Sequence, residues 1–394
     1  MSLTIGVPAE TYPDERRVAM TPRGVKMLVN SGVQVLIESG AGRDAGFLDS
    51  EFESEGARVA RDRNGVFDSC QVILQVRTLN ANRDAGRIDL PLLKSGQTVI
   101  GFGEPLTEGS HYSELAVRRV TSFAMELMPR ITRAQSMDAL SSMATVAGYK
   151  AVLLAASSLP RMFPMLMTAA GTVVPARVLV LGAGVAGLQA IATARRLGAV
   201  VSAYDVRPAV REQVESLGAR FVSLPLDTAT AETAAGYAAA ADEGFYARQR
   251  ELLTEVVRYH DLVITTAAVP GQQAPLLLTR QMIAGMPHGS VVFDLAAERG
   301  GNCELTQPGR TIVEAGVTIM GPLNVSSTVP YHASQMYARN IAAFLKHLLR
   351  DNTLTIDVAD EITRETLVTH DGEIVHPRIR SLVKKEQPET DAIR

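Results

Sequence analysis

The chain has 394 residues, with 39 Lys and Arg against 42 Asp and Glu and a net charge of −3. That length accommodates two domains with separate cores, and the near-neutral balance excludes a nucleic-acid partner and a polybasic membrane anchor. Apolar residues make up 46% and charged residues 21%, the balance of a soluble α/β protein. Cys70 and Cys303 stand alone and far apart, so neither a disulfide framework nor a cysteine metal site is indicated. The opening MSLTIGVPAET runs straight into a strand without a signal peptide. The most apolar region, Ala151–Val174, is broken by Pro160, Arg161 and Pro164 and does not read as a membrane span.

In chain order, the first 125 residues alternate short apolar strands with helical segments. Strands are expected at Thr4–Val7, Val33–Glu38, Gln71–Val76, Thr98–Phe102 and Val120–Ala124, and helices at Pro22–Ser31, Asp49–Ala57 and Ser110–Arg118. Alternation of this kind implies a parallel sheet covered by helices. A long helix follows over Ala134–Ser158, and strands resume at Arg177, Arg220–Leu224, Leu262–Thr266, Val291–Asp294 and Thr318–Gly321. A second long helix spans Ala333–Arg350, with Met336, Ile341, Phe344, Leu345 and Leu348 as its apolar side. That helix is expected to return the chain to the first domain. The expected fold is therefore α/β, with two Rossmann-like doubly wound parallel-sheet domains and the nucleotide site in the cleft between them. The first domain would comprise residues 1–135 plus 331–380, the nucleotide-binding domain 136–330, and a polar tail 381–394. The long connection between Leu224 and Asp261 contains the small-residue run Thr228–Ala241, and reads as a functional flap or as an inert helical insert.

The most informative stretch is Arg177–Asp205, ARVLVLGAGVAGLQAIATARRLGAVVSAYD counted from Ala176. A buried strand leads into Gly182, Gly184 and Gly187, then a helix, then a strand ending at an acid. Gly182 permits the tight turn, Gly184 lets the backbone approach a pyrophosphate, and Gly187 lets helix and sheet pack closely. The helix N-terminus offers free N–H groups to phosphates. Asp205 lies 18 residues past Gly187, where a carboxylate takes both ribose hydroxyls and opposes a 2′-phosphate. The complete pattern points to NAD(H).

A second cluster is Arg130–Ser142, RITRAQSMDALSS. Gln135, Asp138 and Ser142 or Ser141 recur at three- or four-residue spacing, so they are expected to share one helix face. Such a stripe reads either as helix capping with Asp138 at the positive end, or as groups orienting a carboxamide and its ribose. The seven histidines occupy no recognisable strand-end catalytic position, and HExxH, GxSxG and Walker patterns are absent. A nicotinamide site without an acid/base pair suggests hydride movement without proton exchange.

The runs FAMELMPRITRAQSMDALSSMATVAGYKAV, FPMLMTAAGTVVPARVLVLGAGVAGLQAIATARRLGAVV, YDVRPAVREQVESLGARF, AETAAGYA and FDLAAERGGNCELTQPG resemble those of the soluble NAD(H)-binding component of proton-translocating NAD(P) transhydrogenase, the separate-subunit type. The likeness extends from about Thr4 to Pro377. It implies a nicotinamide-side cluster of Arg130, Gln135, Asp138 and Ser141, with Ile131 and Thr132 also contacting the dinucleotide. Val185 and the triplet Asp205–Val206–Arg207 match the pyrophosphate and adenosine-ribose contacts. Gly236, Tyr237 and Ala238 match a mobile loop closing over nucleotide, which favours the flap reading. Gln249 and Ala268 match further lining positions, Leu being commoner at the latter.

The resemblance further implies NAD(H) on this chain, NADP(H) on a partner subunit, and membrane-spanning subunits carrying the proton path. A homodimer is expected, with no metal and no direct membrane insertion, located in the cytoplasm and peripheral on the inner membrane through partners. Alanine dehydrogenase shares the opening IGVPAETYPDERRVAMTP, with Arg17 at its carboxylate-binding position. The matching positions for its other catalytic groups carry Arg77, no histidine within Gly96–Leu106, and Glu298, so alanine oxidation is not expected. Arg17 then reads as a structural relic, paired with Glu10. The remaining alternatives are an amino- or keto-acid dehydrogenase with a rearranged site and a silent NAD sensor.

Overall fold

Each central strand near Arg177 sends alternate side chains into two different cores. Val178 and Val180 enter one, and Leu179 and Leu181 enter the other. The same split holds at Leu262 and Ile264 against Val263, and at Val291 and Phe293 against Val292. Strands buried on both faces belong to a sheet with helices on each side, which is why they read as continuous apolar runs. The computed structural model describes residues 3–107, 109–226, 242–268 and 271–386. The chain divides into two units, Met1–Met143 with Ser327–Arg394, and Ala144–Ser326.

In the second unit seven strands lie in the order Arg220–Phe221, Val200–Tyr204, Arg177–Leu181, Leu262–Thr265, Val291–Asp294, Val317–Gly321 and Arg310–Glu314. All neighbours are parallel except the last pair. The strand Arg310–Glu314 is additional to the expected set; it is a hairpin partner for Val317–Gly321, with Ala315 and Gly316 at positive φ in the turn. The order reverses beside Arg177–Leu181, so the crevice beyond its carboxyl end is the topological switch point where such sheets bind ligands.

In the first unit the sheet runs Glu373–Ile374, Leu367–His370, Thr121–Ala124, Thr98–Phe102, Val72–Arg77, Thr4–Val7, Gln34–Glu38 and Arg58–Ala60. The six strands from the N-terminal segment are parallel, and the two returning strands add antiparallel beside Thr121–Ala124. The helix Pro330–Leu348 starts with proline at its first position, where the missing N–H costs nothing. Its buried side includes Tyr337, whose hydroxyl donates to the Gln75 carbonyl at 2.7 Å, as well as Ile341, Phe344, Leu345 and Leu348.

Two local expectations are corrected. The helix expected from Ala134 starts at Ala139, preceded by a tighter 3₁₀ segment Thr132–Met137. The polar tail expected over 381–394 is, in its described part, the end of the helix Pro377–Glu386, whose Ile379 and Val383 bury against the first unit's core. In the long connection, Glu243–Arg258 is a helix capped by Asp242, which accepts from the Phe245 N–H. The helix Ala139–Ser158 has the length and composition of a membrane span, yet its Ala151, Val152 and Ala155 pack in the second unit's core.

Candidate nucleotide site

The glycine turn stands at the carboxyl end of Arg177–Leu181. Gly182 has φ +97°, a conformation open to glycine, and a Cβ there would lie 2.7 Å from Thr266 Oγ1. Gly187 is tighter still, since a Cβ would meet the Gly182 carbonyl oxygen at 1.9 Å. Gly184 differs from both. It caps the helix Val185–Arg196 at φ −75°, and its Cβ direction opens onto space with no atom within 4 Å. Its carbonyl accepts from Leu188 N–H at 2.8 Å, leaving the preceding N–H groups of the helix start without intrahelical acceptors. A turn closed to side-chain bulk at Gly182 and Gly187 but open at Gly184, at the start of a helix, fits a pyrophosphate.

Asp205 follows the strand Val200–Tyr204. Its Oδ2 accepts from Ala183 N–H at 2.7 Å and from Arg207 Nη2 at 2.9 Å, and its Oδ1 accepts from the Arg207 N–H and Nε, both at 2.9 Å. The acid is thus tied to the glycine turn and to Arg207, and Val206 is half-buried between them in sequence. Gln249, carried by the helix Glu243–Arg258, is buried and donates through Nε2 to Tyr204 Oη at 2.8 Å, while its Oε1 is buried and unpaired. Burial pushes the Tyr204 phenol up to about 12. Ala268 is exposed at the end of a described stretch, and Gly236, Tyr237 and Ala238 lie outside the described residues.

Sequence reasoning missed a polar hub beside this turn. Asp294 is fully buried and accepts from Thr265 Oγ1, Ala296 N–H, Asn302 N–H, Cys303 N–H and Thr306 Oγ1. The hub fixes Asn302, whose side-chain amide pairs with both the N–H and the carbonyl of Ala267, at 3.1 and 2.9 Å. Ala267 adjoins Thr266, whose hydroxyl donates to Gly182 O at 2.9 Å. Gly300 and Gly301, both at positive φ, were the readable trace of this loop in FDLAAERGGN. Gly148 was also missed: a Cβ there would meet Ala186 O at 2.1 Å, so the helix Ala139–Ser158 lies directly against the start of Val185–Arg196.

The Arg130–Ser142 cluster belongs to the first unit. The expected single helical face is corrected. Arg130 and Ile131 precede the 3₁₀ segment that contains Thr132 and Gln135, and Asp138 stands at the break before the true helix. Asp138 accepts from the Ser141 N–H at 2.8 Å and from Ser141 Oγ at 2.6 Å, and its carbonyl accepts from Ser142 N–H. Those are the bonds of a helix N-cap. Arg130 and Gln135 are exposed, and Asp138 and Ser141 half-buried.

The alanine dehydrogenase positions hold a buried ion network. Arg17 donates to Glu15 through Nε at 2.7 Å and Nη2 at 2.5 Å, and Arg77 stacks over Tyr12 while lying 3.5 Å from Glu15. Glu15 holds Arg17 directly, the expected Arg17–Glu10 pairing persists as a charge interaction, and Glu10 accepts from the N–H groups of Val76 and Arg77. Burial, with Glu15 nearby, pushes the Glu10 carboxyl up to about 8. Glu298 accepts from Asn324 N–H. Both cysteines are buried and free, and no group of three or more metal-ligating side chains occurs among the described residues.

Two family models match, the alanine dehydrogenase/PNT N-terminal domain over residues 6–147 and the alanine dehydrogenase/PNT C-terminal domain over 151–377. The first of the parts that make up NAD(P) transhydrogenase subunit alpha in Rhodospirillum rubrum is 46% identical over 381 residues, covering 96% of this chain and 99% of that protein. The chain belongs to the NAD(P) transhydrogenase alpha-subunit family. The crystal structure of transhydrogenase from Sinorhizobium meliloti aligns with TM-score 0.84 and 44% identity, covering 94% of this chain and 100% of that one. Alanine dehydrogenase of Halomonas elongata is more distant, at 31% identity over 95% of each chain. Membership makes this chain an NAD-dependent oxidoreductase of the transhydrogenase class and places alanine dehydrogenase as a relative of the same fold.

Proposed function

We propose that this chain binds NADH and gives its hydride to NADP⁺ held by a partner subunit, in a reaction coupled to proton movement across a membrane. The carrying observation is the switch-point turn in which Gly184 opens onto free space while Asp205 is tied to the same turn through Ala183. Bound NADH would supply the hydride. The helix start at Val185 would receive the pyrophosphate, and Asp205, with Val206 and Arg207, the adenosine ribose. Gln249 and Ala268 would line the nucleotide, and Gly236–Tyr237 would close over it and exclude water. Arg130, Ile131, Thr132, Gln135, Asp138 and Ser141 would orient the nicotinamide carboxamide and ribose. None of them needs to exchange a proton with substrate, which agrees with the lack of an acid/base pair.

The partners in this reading are an NADP(H)-binding subunit and membrane-spanning subunits, with this chain on the cytoplasmic face and outside the bilayer. A homodimer is part of the proposal. The two-stranded hairpin Leu166–Thr168 and Gly171–Val173 carries exposed Met165, Met167 and Val174, apolar surface suited to a second copy. The test mixes the purified chain with the NADP(H)-binding component of a transhydrogenase and follows NADH-driven reduction of an NAD analogue. Turnover that needs both proteins and NADP(H) supports the proposal. NADH binding without turnover overturns it in favour of a silent sensor, and substrate-dependent NAD⁺ reduction by the chain alone overturns it in favour of a dehydrogenase.

A further inference from the structure

An ionised carboxylate has about four acceptor positions, and Asp205 has four N–H groups directed at its two oxygens. Two are backbone groups, Ala183 N–H and Arg207 N–H, held by the turn and the strand end. The other two, Nε and Nη2, belong to the Arg207 guanidinium. A ribose diol brings two O–H donors of its own. It can take its place on Asp205 when the guanidinium yields its two positions, because the backbone donors cannot move without unmaking the turn. The guanidinium stays tethered two residues from the acid, so its charge remains at the ribose edge whichever partner Asp205 accepts. Asp205 and Arg207 then favour opposite ligands: the carboxylate rejects a 2′-phosphate, and the forked cation matches one.

We infer that Arg207 is a specificity-determining residue, a latent 2′-phosphate receptor that Asp205 keeps occupied, so that nucleotide choice is set by the pair and not by the acid alone. This inference rests on the proposed NADH site. Loss of Asp205 takes the carboxylate away from the fork and turns the site toward NADPH, and loss of Arg207 leaves an uncompensated carboxylate that rejects NADPH more strongly.

The experiment is a double-mutant cycle on the full chain with Asp205→Ser, Arg207→Ala and both together, NADH and NADPH affinities being read by nicotinamide fluorescence. Serine is chosen over asparagine because an asparagine amide would point N–H groups at N–H groups. Asp205→Ser should strengthen NADPH binding by roughly ten-fold or more, the scale of a charge-assisted fork on phosphate, and adding Arg207→Ala should erase the gain. Asp205→Ser with Arg207→Lys should keep part of it. Equal NADPH affinity for Asp205→Ser with and without Arg207 overturns the inference. If Asp205→Ser does not fold, Arg207→Ala alone decides: a rise in the NADH-over-NADPH preference supports the inference, and an unchanged preference overturns it. A parent chain that does not bind NADH removes the proposed function and this inference together. NADH binding in the parent, with NADPH affinity in the Asp205→Ser background indifferent to Arg207, removes the inference alone.

Discussion

Alanine at Gly187 and alanine at Gly184 separate packing from ligand contact within one turn. At Gly187 a Cβ would sit 1.9 Å from the Gly182 carbonyl oxygen, against an ordinary contact of 3.4 Å, so helix and turn must part by 3.4 − 1.9 = 1.5 Å. The obstacle is backbone, which has no rotamer to change. Overpacking of this kind costs about 3 kcal/mol at the upper end of its usual range. Replacing glycine inside a helix returns about 1 kcal/mol, leaving a net loss of ~2 kcal/mol. For a domain of this size that lowers Tm by roughly 4–8 °C. At Gly184 no atom lies within 4 Å of the Cβ and φ is −75°, so only the weaker capping preference of alanine is lost, under about 1 kcal/mol. The methyl nonetheless projects where a pyrophosphate must approach. Gly184→Ala should therefore melt within about 4 °C of the parent yet bind NADH about ten-fold more weakly or worse. Thermal melting and NADH titration of both variants give the comparison. Parent-like NADH affinity in a folded Gly184→Ala protein would refute the pyrophosphate assignment, and a parent-like Tm in Gly187→Ala would refute the packing argument.

Asp294→Asn would turn an amide toward the Asn302 and Cys303 N–H groups; it should cost about 2–4 kcal/mol, read by denaturant unfolding, and loosen the Asn302–Ala267 pairing. Glu10 gives a pH test. Its folded carboxyl, raised to about 8 from 4.5, keeps a proton that the unfolded chain has released between those values. Its contribution to stability therefore falls as pH rises through that window, by at most ~1.4 kcal/mol per unit. Glu10→Gln should gain on the parent in Tm from pH 5 to pH 8, and a flat difference would count against the burial argument. Gln135→Asn should slow hydride transfer strongly in the reconstituted system while NADH affinity stays within about a few-fold; transfer at the parent rate removes its positioning role. Met167→Asp places charge on a side chain that is 80% exposed and should shift the chain toward monomer by light scattering, an unchanged dimer excluding the hairpin from the interface.

Much of the glycine turn was legible in the linear sequence because its determinants are local. The strand, the three glycines, the following helix and the acid at the next strand end are set by backbone sterics and spacing within about thirty residues, and the structure gives Gly182 and Gly187 the close contacts those roles require. The same locality explains the parallel strands and the two long helices. The cluster around Gln135 was legible as residue types and illegible as geometry. Three-residue spacing fits a 3₁₀ segment as well as an α-helix, and Asp138 ends one and caps the other.

Only the tertiary structure decided which groups meet across the chain. Asp294 collects donors from Thr265, Asn302 and Thr306, and Glu15 holds Arg17. Val383 buries in a core that the polar residues around it conceal in sequence. The pairing of Arg207 with Asp205 is the sharpest case. Both residues are visible in YDVRP, two apart, yet whether the cation opposes or occupies the acid depends on the angle at which the strand ends and on Ala183 donating from another turn. Composition and spacing carry no information about that angle. It is a property of the packed sheet, because a hydrogen bond is decided by tenths of an ångström and a sequence records only order.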